Sequence, residues 1–224
     1  MTPSRSLQKE LFKSKQAISV IIWFHVIGLI GLSIMATRAI FLNIVPFHLL
    51  LMFIVILISH SRVNNRFLSF SLLIYILGFC AEWIGVHQHW LFGDYFYGKT
   101  LGPKLAGVPL IIGVNWFLLS YSAGVLMQRS RVKAIWLRIL GGAAVLVLLD
   151  LVIEPVATRL DYWHWANCNI PFKNYLCWFF VSITMLSIFE LFRFRKQNIV
   201  APVLLFAEFI FFGILYAVEV NFLP

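Results

Sequence analysis

The chain has 224 residues, 61% of them apolar and only 12% charged. A soluble domain of this size cannot hide so much apolar surface, because much of its exterior must be polar, so the excess faces lipid. The formal charge of +9 raises the possibility of nucleic-acid binding, but the placement of the charges along the chain excludes it.

A spanning helix needs roughly 20 mostly apolar residues. Seven segments qualify: 17–36, 43–59, 66–86, 105–127, 134–153, 172–192 and 200–220, the second being the shortest. They predict an all-α, polytopic membrane helix bundle, a single integral membrane domain over residues 1–224. With the N-terminus in the cytoplasm, the tail and the connections near 62–66, 129–138 and 193–196 hold 13 of the 18 Lys and Arg residues. The outer segments hold only Arg38, Lys99, Lys104, Arg159 and Lys173. That alternation follows the positive-inside rule, with the N-terminus in and the C-terminus out. It implies a multi-pass protein of the cell's inner (cytoplasmic) membrane, whose basic charge sets topology and meets anionic membrane lipid, with no nucleic-acid partner.

In chain order, Met1 to Lys15 leads into an apolar run and resembles a signal peptide. The run is about 20 residues and lacks a small-x-small cleavage site, so it reads as a signal-anchor helix. His25 in helix one and His48 in helix two read as hydrogen-bonded packing residues. Helix three ends near Glu82 and runs into a connection, 87–104, with a His87-x-His89 pair. A metal there needs a third ligand and only Asp94 is near, so no metal is expected. Helix five carries Asp150 and Glu154 and leads into a second long connection, 154–171. Helix six ends near Glu190. Glu208 and Glu219 on helix seven are three turns apart and share a face. That helix has no lysine, which rules out a retinal Schiff base. Cys80, Cys168 and Cys177 have no metal or disulfide pattern and read as packing residues. No nucleotide-binding fingerprint, nucleophile elbow or haem motif is present, so no cofactor is expected.

The two long connections are aromatic, rich in Gly and Pro, and predicted to fold onto the helix ends. They also carry a weak internal repeat, 78–127 against 146–192. Glu82 leads to Asp94-Tyr95-Phe96-Tyr97, then Gly107-Val108-Pro109, with Trp116 seven residues on. Glu154 leads to Asp161-Tyr162-Trp163-His164-Trp165, then Pro171, with Trp178 seven residues on. Helices three–four and five–six thus read as two copies of one hairpin, and membrane proteins place sites at such interfaces.

A carboxylate within a span normally faces a protein interior or water and is a functional candidate. Asp150 and Glu154, one turn apart, share a helix face. Two such acids in a poorly solvated place do not both ionise cheaply, so one is expected to keep its proton, as a general acid must. Pro155 fixes Glu154 at the helix mouth, and Glu82 comes to similar depth from another helix. The alternative is that these acids are solvated or pair with Arg159, Lys99 and Lys104. Aromatic residues at the outer boundary form an interfacial belt in part. The Tyr95-x-Tyr97 and Trp163-x-Trp165 sets are also able to wall a site and face a cation.

As an ordered set, certain residues resemble the family of membrane-bound carotenoid hydratases, of the γ-carotene 1′,2′-hydratase and bisanhydrobacterioruberin hydratase type. They are Glu82-x-x-Gly85, Phe92-Gly93-Asp94-Tyr95-Phe96-Tyr97, Leu101-Gly102-Pro103, Gly107-Val108-Pro109 and Trp116. The second half adds Asp150-x-x-x-Glu154-Pro155, Tyr162-Trp163-x-Trp165, Pro171, Asn174 and Trp178. The resemblance covers about 78–182. The chain departs from it at Asp94, where the family often has Pro or Asn, and at Asp161, where it has Gly. The resemblance implies addition of water across the terminal 1′,2′ double bond of an acyclic carotenoid drawn from the bilayer. It places Asp150, Glu82 and Glu154 as catalytic candidates and Tyr95, Tyr97, Trp116, Trp163, Trp165, Asn174 and Trp178 around the substrate. Other carotenoid biosynthesis enzymes are implied as possible partners. The competing reading is a transporter or channel with a carboxylate relay, which would expose its acids to both faces. Here most of them collect on one side. A purely structural subunit would not need them.

Overall fold

The computed structural model describes the backbone of residues 5–221 and side chains over 11–218; Glu219 lies outside the latter. Among the described residues seven helices follow one another: α1 (Arg5–Ser33), α2 (Met35–Ser59), α3 (Asn65–Gln88), α4 (Ile112–Arg129), α5 (Ile135–Ala157), α6 (Phe172–Leu191) and α7 (Val200–Asn221). Six of them are long and apolar enough to cross a membrane. The exception, α4, packs against α2, α3, α5, α6 and α7. Thirteen of its eighteen residues are buried. A helix shielded by protein on all sides has no need of lipid-like composition, which is why it tolerates Asn115, Ser120, Tyr121 and Ser122.

Two boundaries differ from expectation. Helix α2 starts at Met35, not near 43, after a one-residue break at Ile34. Polar Thr37, Arg38 and Asn43 hide its first turns in the sequence. Two of them are used locally: Thr37 Oγ1 donates to the Gly31 carbonyl (2.8 Å) and Arg38 Nε to that of Leu32 (2.8 Å), capping the end of α1. Helix α4 starts at Ile112 rather than 105, because residues 104–109 form a hairpin of β2 (Lys104–Leu105) and β3 (Val108–Pro109). Pro155 does not end α5, which runs on to Ala157.

The connections at 60–64, 130–134 and 192–199 meet at one end of the bundle. Gln197 is buried there. Its amide carbonyl accepts from Ser61 N (2.9 Å), its amide donates to Ser61 Oγ (3.0 Å), and its backbone carbonyl accepts from Arg129 (2.6 Å). Arg138 grips Glu190 with two bonds of 2.7 and 2.6 Å, tying α5 to α6. His60 stacks on Phe67 (3.7 Å) and bonds Tyr121 Oη (2.7 Å) within a cluster of phenylalanines. Burial there pushes its imidazolium down to about 4.

At the opposite end the long connections cross. β1 (Tyr95–Tyr97) pairs antiparallel with β4 (Trp163–Trp165), setting Tyr95 opposite Trp165 and Tyr97 opposite Trp163. Asp161 accepts from His164 (2.7 Å) and the Lys99 amide (2.8 Å), which together hold its carboxyl below the usual range. It fastens the ribbon. Among the three cysteines the packing expectation fails for Cys80 and Cys168, which are exposed.

Candidate functional site

The ribbon of β1 and β4 hangs two rows of polar aromatic tips over the ends of α3 and α5. Because side chains alternate along a strand, Tyr95 and Tyr97 point to one face while Phe96, between them, is exposed. Both tyrosines donate to the same oxygen of Glu82, at 2.6 and 2.7 Å. Trp116 Nε1, from α4, donates to the other at 2.8 Å. Two glycines make this reach possible. A Cβ at Gly85 would lie 2.5 Å from the Tyr95 hydroxyl, and one at Gly78 would lie 2.5 Å from the Trp116 Cβ.

Glu154 is served in the same way by the other strand. Trp163 and Trp165 donate their indole N–H groups to one oxygen, at 3.1 and 2.8 Å. Asn174 Nδ2, from α6, donates to the other at 3.0 Å. That same nitrogen also donates to Asp150 at 2.8 Å. The second oxygen of Asp150 has no hydrogen-bond partner among the described residues. The three acids, Glu82, Asp150 and Glu154, are all buried. Their hydrogen bonds come from neutral donors rather than from Lys99 or Lys104; Lys104 instead donates to the Tyr97 carbonyl (2.6 Å). The tyrosine hydroxyls are pushed above their ordinary range, by burial first and then by the Glu82 charge, so they stay donors.

A cavity of about 510 Å³ lies under the ribbon, within the range of small-molecule sites. Glu82, Glu154, Asn174, Tyr95, Tyr97, Trp163 and Trp165 line it, together with Trp116 and Trp178, whose rings stack at 4.3 Å. Every substrate-side residue expected from the sequence therefore reaches one chamber, and so do two of the three acids. Asp150 does not line it and touches it only through Asn174. Asp94 also stays outside, 3.4 Å from His89, while His87 turns to the Trp83 carbonyl (2.9 Å), so the His-x-His pair does not converge.

The cavity extends beyond these residues to a second polar group, two histidines that the sequence reads as packing residues and an acid that it reads as a candidate. His25, His48 and Glu208, from α1, α2 and α7, also line it. His25 Nε2 lies 3.4 Å from Glu208, and the two histidine rings meet edge to face at 4.8 Å. The one signal available was that Glu208 lies within a span. Asn115 lines the chamber as well. Phe24 and Ile27 of α1 and Ile44 and Phe47 of α2 both line the cavity and are exposed on the outer surface. Phe24 and Phe47 lie near the middle of the apolar stretches Leu11–Ser33 and Met35–Ser59. The chamber is therefore bounded sideways by residues on the apolar faces of α1 and α2.

Residues 22–224 match the family described as "Carotenoid biosynthesis protein", and the chain belongs to it. A stretch of 116 residues is 30% identical to a protein of Haloarcula japonica named bisanhydrobacterioruberin hydratase. The match covers 49% of this chain and 40% of that protein, so the chain spans well under two thirds of its relative. No solved structure matches.

Proposed function

We propose that this member of the carotenoid biosynthesis family is a hydratase that adds water across the terminal 1′,2′ double bond of an acyclic carotenoid end, giving a tertiary 1′-hydroxyl. The observation that carries the reading is a single one. Two buried acids on separate helices, Glu82 and Glu154, face an aromatic-walled chamber whose lining includes Phe24 and Phe47, which are also exposed on the apolar flanks of α1 and α2. A long apolar polyene dissolved in the bilayer enters beside them end first, without crossing water.

Hydration of an alkene needs a proton, a place for a cation and a water molecule, and it moves no net electrons. Glu154 faces the chamber and shares the Asn174 amide with Asp150 behind it. This pair is the proton store: one proton held between two carboxyl groups and delivered by Glu154, the member that faces the chamber. Transfer to C2′ converts the π bond into a C2′–H bond and leaves a tertiary cation at C1′. The stacked rings of Trp116 and Trp178 and the carboxylate of Glu82 stabilise it; a desolvated ring contact contributes about 2 kcal/mol. Capture by water then forms the C1′–O bond and releases one proton.

The test is expression in bacteria that accumulate lycopene or γ-carotene, followed by mass spectrometry of the pigments. A gain of one water mass per hydrated end is expected with the wild type, and none with Glu154→Gln. A wild-type chain that reaches the membrane and leaves the pigments unchanged refutes the reading.

A further inference from the structure

We propose that His25 and Glu208 form the second proton-handling site of the reaction, the one that orients the attacking water and takes its proton. The inference rests on the hydratase reading above and adds to it a base that the carboxylate end does not supply.

Hydrogen inventory leads to it. His25 Nδ1 lies 2.7 Å from the Ile21 carbonyl, which can only accept, so Nδ1 carries a hydrogen. In the neutral ring Nε2 is then a bare lone pair. It points at Glu208 Oε1, 3.4 Å away, which is an acceptor as well when ionised. With the ring neutral and Glu208 ionised, two acceptors face each other across 3.4 Å. Adding one proton turns that opposition into a hydrogen bond, so the pair is built to gain a proton. While empty, both atoms lie within reach of a single water that gives one hydrogen to each and turns its oxygen lone pairs towards the chamber.

The surroundings fit this use. His25 is buried, and its ring is held edge-on by His48 at 4.8 Å and Phe211 at 5.7 Å, so Nε2 has a fixed direction. His25 and Glu208 line the same cavity as Glu82 and Glu154, yet come from α1 and α7, whereas those acids come from α3 and α5. Proton donor and water thus arrive from separate helix groups, which keeps the two roles apart. The balance closes: Glu154 gives a proton to C2′, the water oxygen bonds to C1′, one water O–H bond breaks, and its proton passes to the Nε2/Oε1 pair. Return of that proton to Glu154 through cavity water resets both ends.

The full chain, purified into lipid nanodiscs, is given an acyclic carotene in heavy water, and two quantities are read: hydrated product, and deuterium in the recovered carotene. Without the base the cation still forms at the carboxylate end and reverts by losing a C2′ proton, so the alkene exchanges. Glu208→Gln and His25→Asn are expected to lower hydration by on the order of 10²–10⁴ while deuterium still enters the carotene. Glu154→Gln loses both. Hydration at the wild-type rate in both variants overturns the role of the pair and leaves the hydratase reading standing. Loss of exchange together with hydration in both variants overturns it as well, because it shows no division of labour. A wild-type protein that forms no hydrated product ends the hydratase reading and the pair's role with it.

Discussion

Glutamine is the customary neutral stand-in for glutamate, yet at position 154 the hydrogen bonds make it costly. One oxygen of Glu154 accepts from Trp163 and Trp165, so the Gln carbonyl must sit there. While Asp150 is ionised and keeps Asn174 Nδ2 turned towards it, the Gln amide nitrogen is forced against that donor, where a 3.0 Å bond existed. A buried polar group left without its partner costs about 1–3 kcal/mol. For a chain of this length that is about 2–4 °C of Tm per kcal/mol, so Glu154→Gln is expected to melt several degrees lower. Asp150→Asn behaves differently. Its carbonyl keeps the 2.8 Å bond from Asn174, and its amide replaces an oxygen that has no partner, so the change is close to neutral. Combined, the two substitutions let the Asn174 amide turn over. Its oxygen then accepts from both new amides, and all the bonds return. Asp150→Asn is therefore expected to restore stability in the Glu154→Gln background, with a coupling of about 1–3 kcal/mol, while hydration stays lost. Thermal unfolding of the four proteins, followed by tryptophan fluorescence, measures the cycle. Additive effects, or a Glu154→Gln protein as stable as the wild type, would refute the bridging role of Asn174.

Trp163→Leu removes both a ring face and a donor to Glu154, and is expected to lower kcat more than it raises KM, because the cation exists only near the transition state; an effect confined to KM contradicts cation stabilisation. Reporter fusions after Asn64, Lys133 and Lys196 are expected to read cytoplasmic, and those after Lys99 and Asn167 external; an external Lys133 breaks the topology. Burial holds the folded-state value of His60 at about 4 against an ordinary 6.5. The folded state thus binds the proton less readily, and the stability from neutral His60 is full above pH 6.5 and lost as pH falls towards 4. His60→Gln is expected to flatten that part of the wild-type pH–stability curve, and an unchanged slope rejects the assignment. In ¹⁸O-labelled water the product hydroxyl is expected to carry the label, and oxygen derived from O₂ would point to an oxygenase instead.

Much of the architecture is legible because lipid makes composition decisive: a run of apolar residues either spans or does not. The misplaced starts of α2 and α4 have a common cause. Thr37 and Arg38 cap the preceding helix, and 104–109 turn back as a hairpin, so polarity and apolarity there serve local bonding rather than exposure to lipid. The carboxylate end of the chamber is legible for a different reason. Each acid lies within 16 residues of the strand that clothes it, so motif and site nearly coincide along the chain. Pairing of the two motif-bearing strands, with Tyr95 opposite Trp165 and Tyr97 opposite Trp163, supports the proposal that the two hairpins are copies of one ancestor. Glu82 with its two tyrosines is matched by Glu154 with its two tryptophans, while the third donors, Trp116 and Asn174, are not counterparts in the repeat.

The other end of the chamber has no such coincidence. His25, His48 and Glu208 lie on α1, α2 and α7, outside the repeat and outside the stretch that carries the family motifs, and each alone looks like a packing histidine or a lone acid within a span. Only packing makes them a group, when α7 returns against α1 and α2. A site assembled this way has a physical consequence. On the hydratase reading, the hairpins α3–α4 and α5–α6 supply the carboxylates and aromatic walls that form and hold the cation. The two halves differ, since Glu154 shares the Asn174 amide with Asp150 whereas Glu82 is held by two tyrosines and Trp116. The remaining helices, α1, α2 and α7, add the opening beside Phe24 and Phe47 and the acceptor pair facing into the chamber. On this reading the repeat makes the cation and the remaining helices decide that water, not proton loss, ends it.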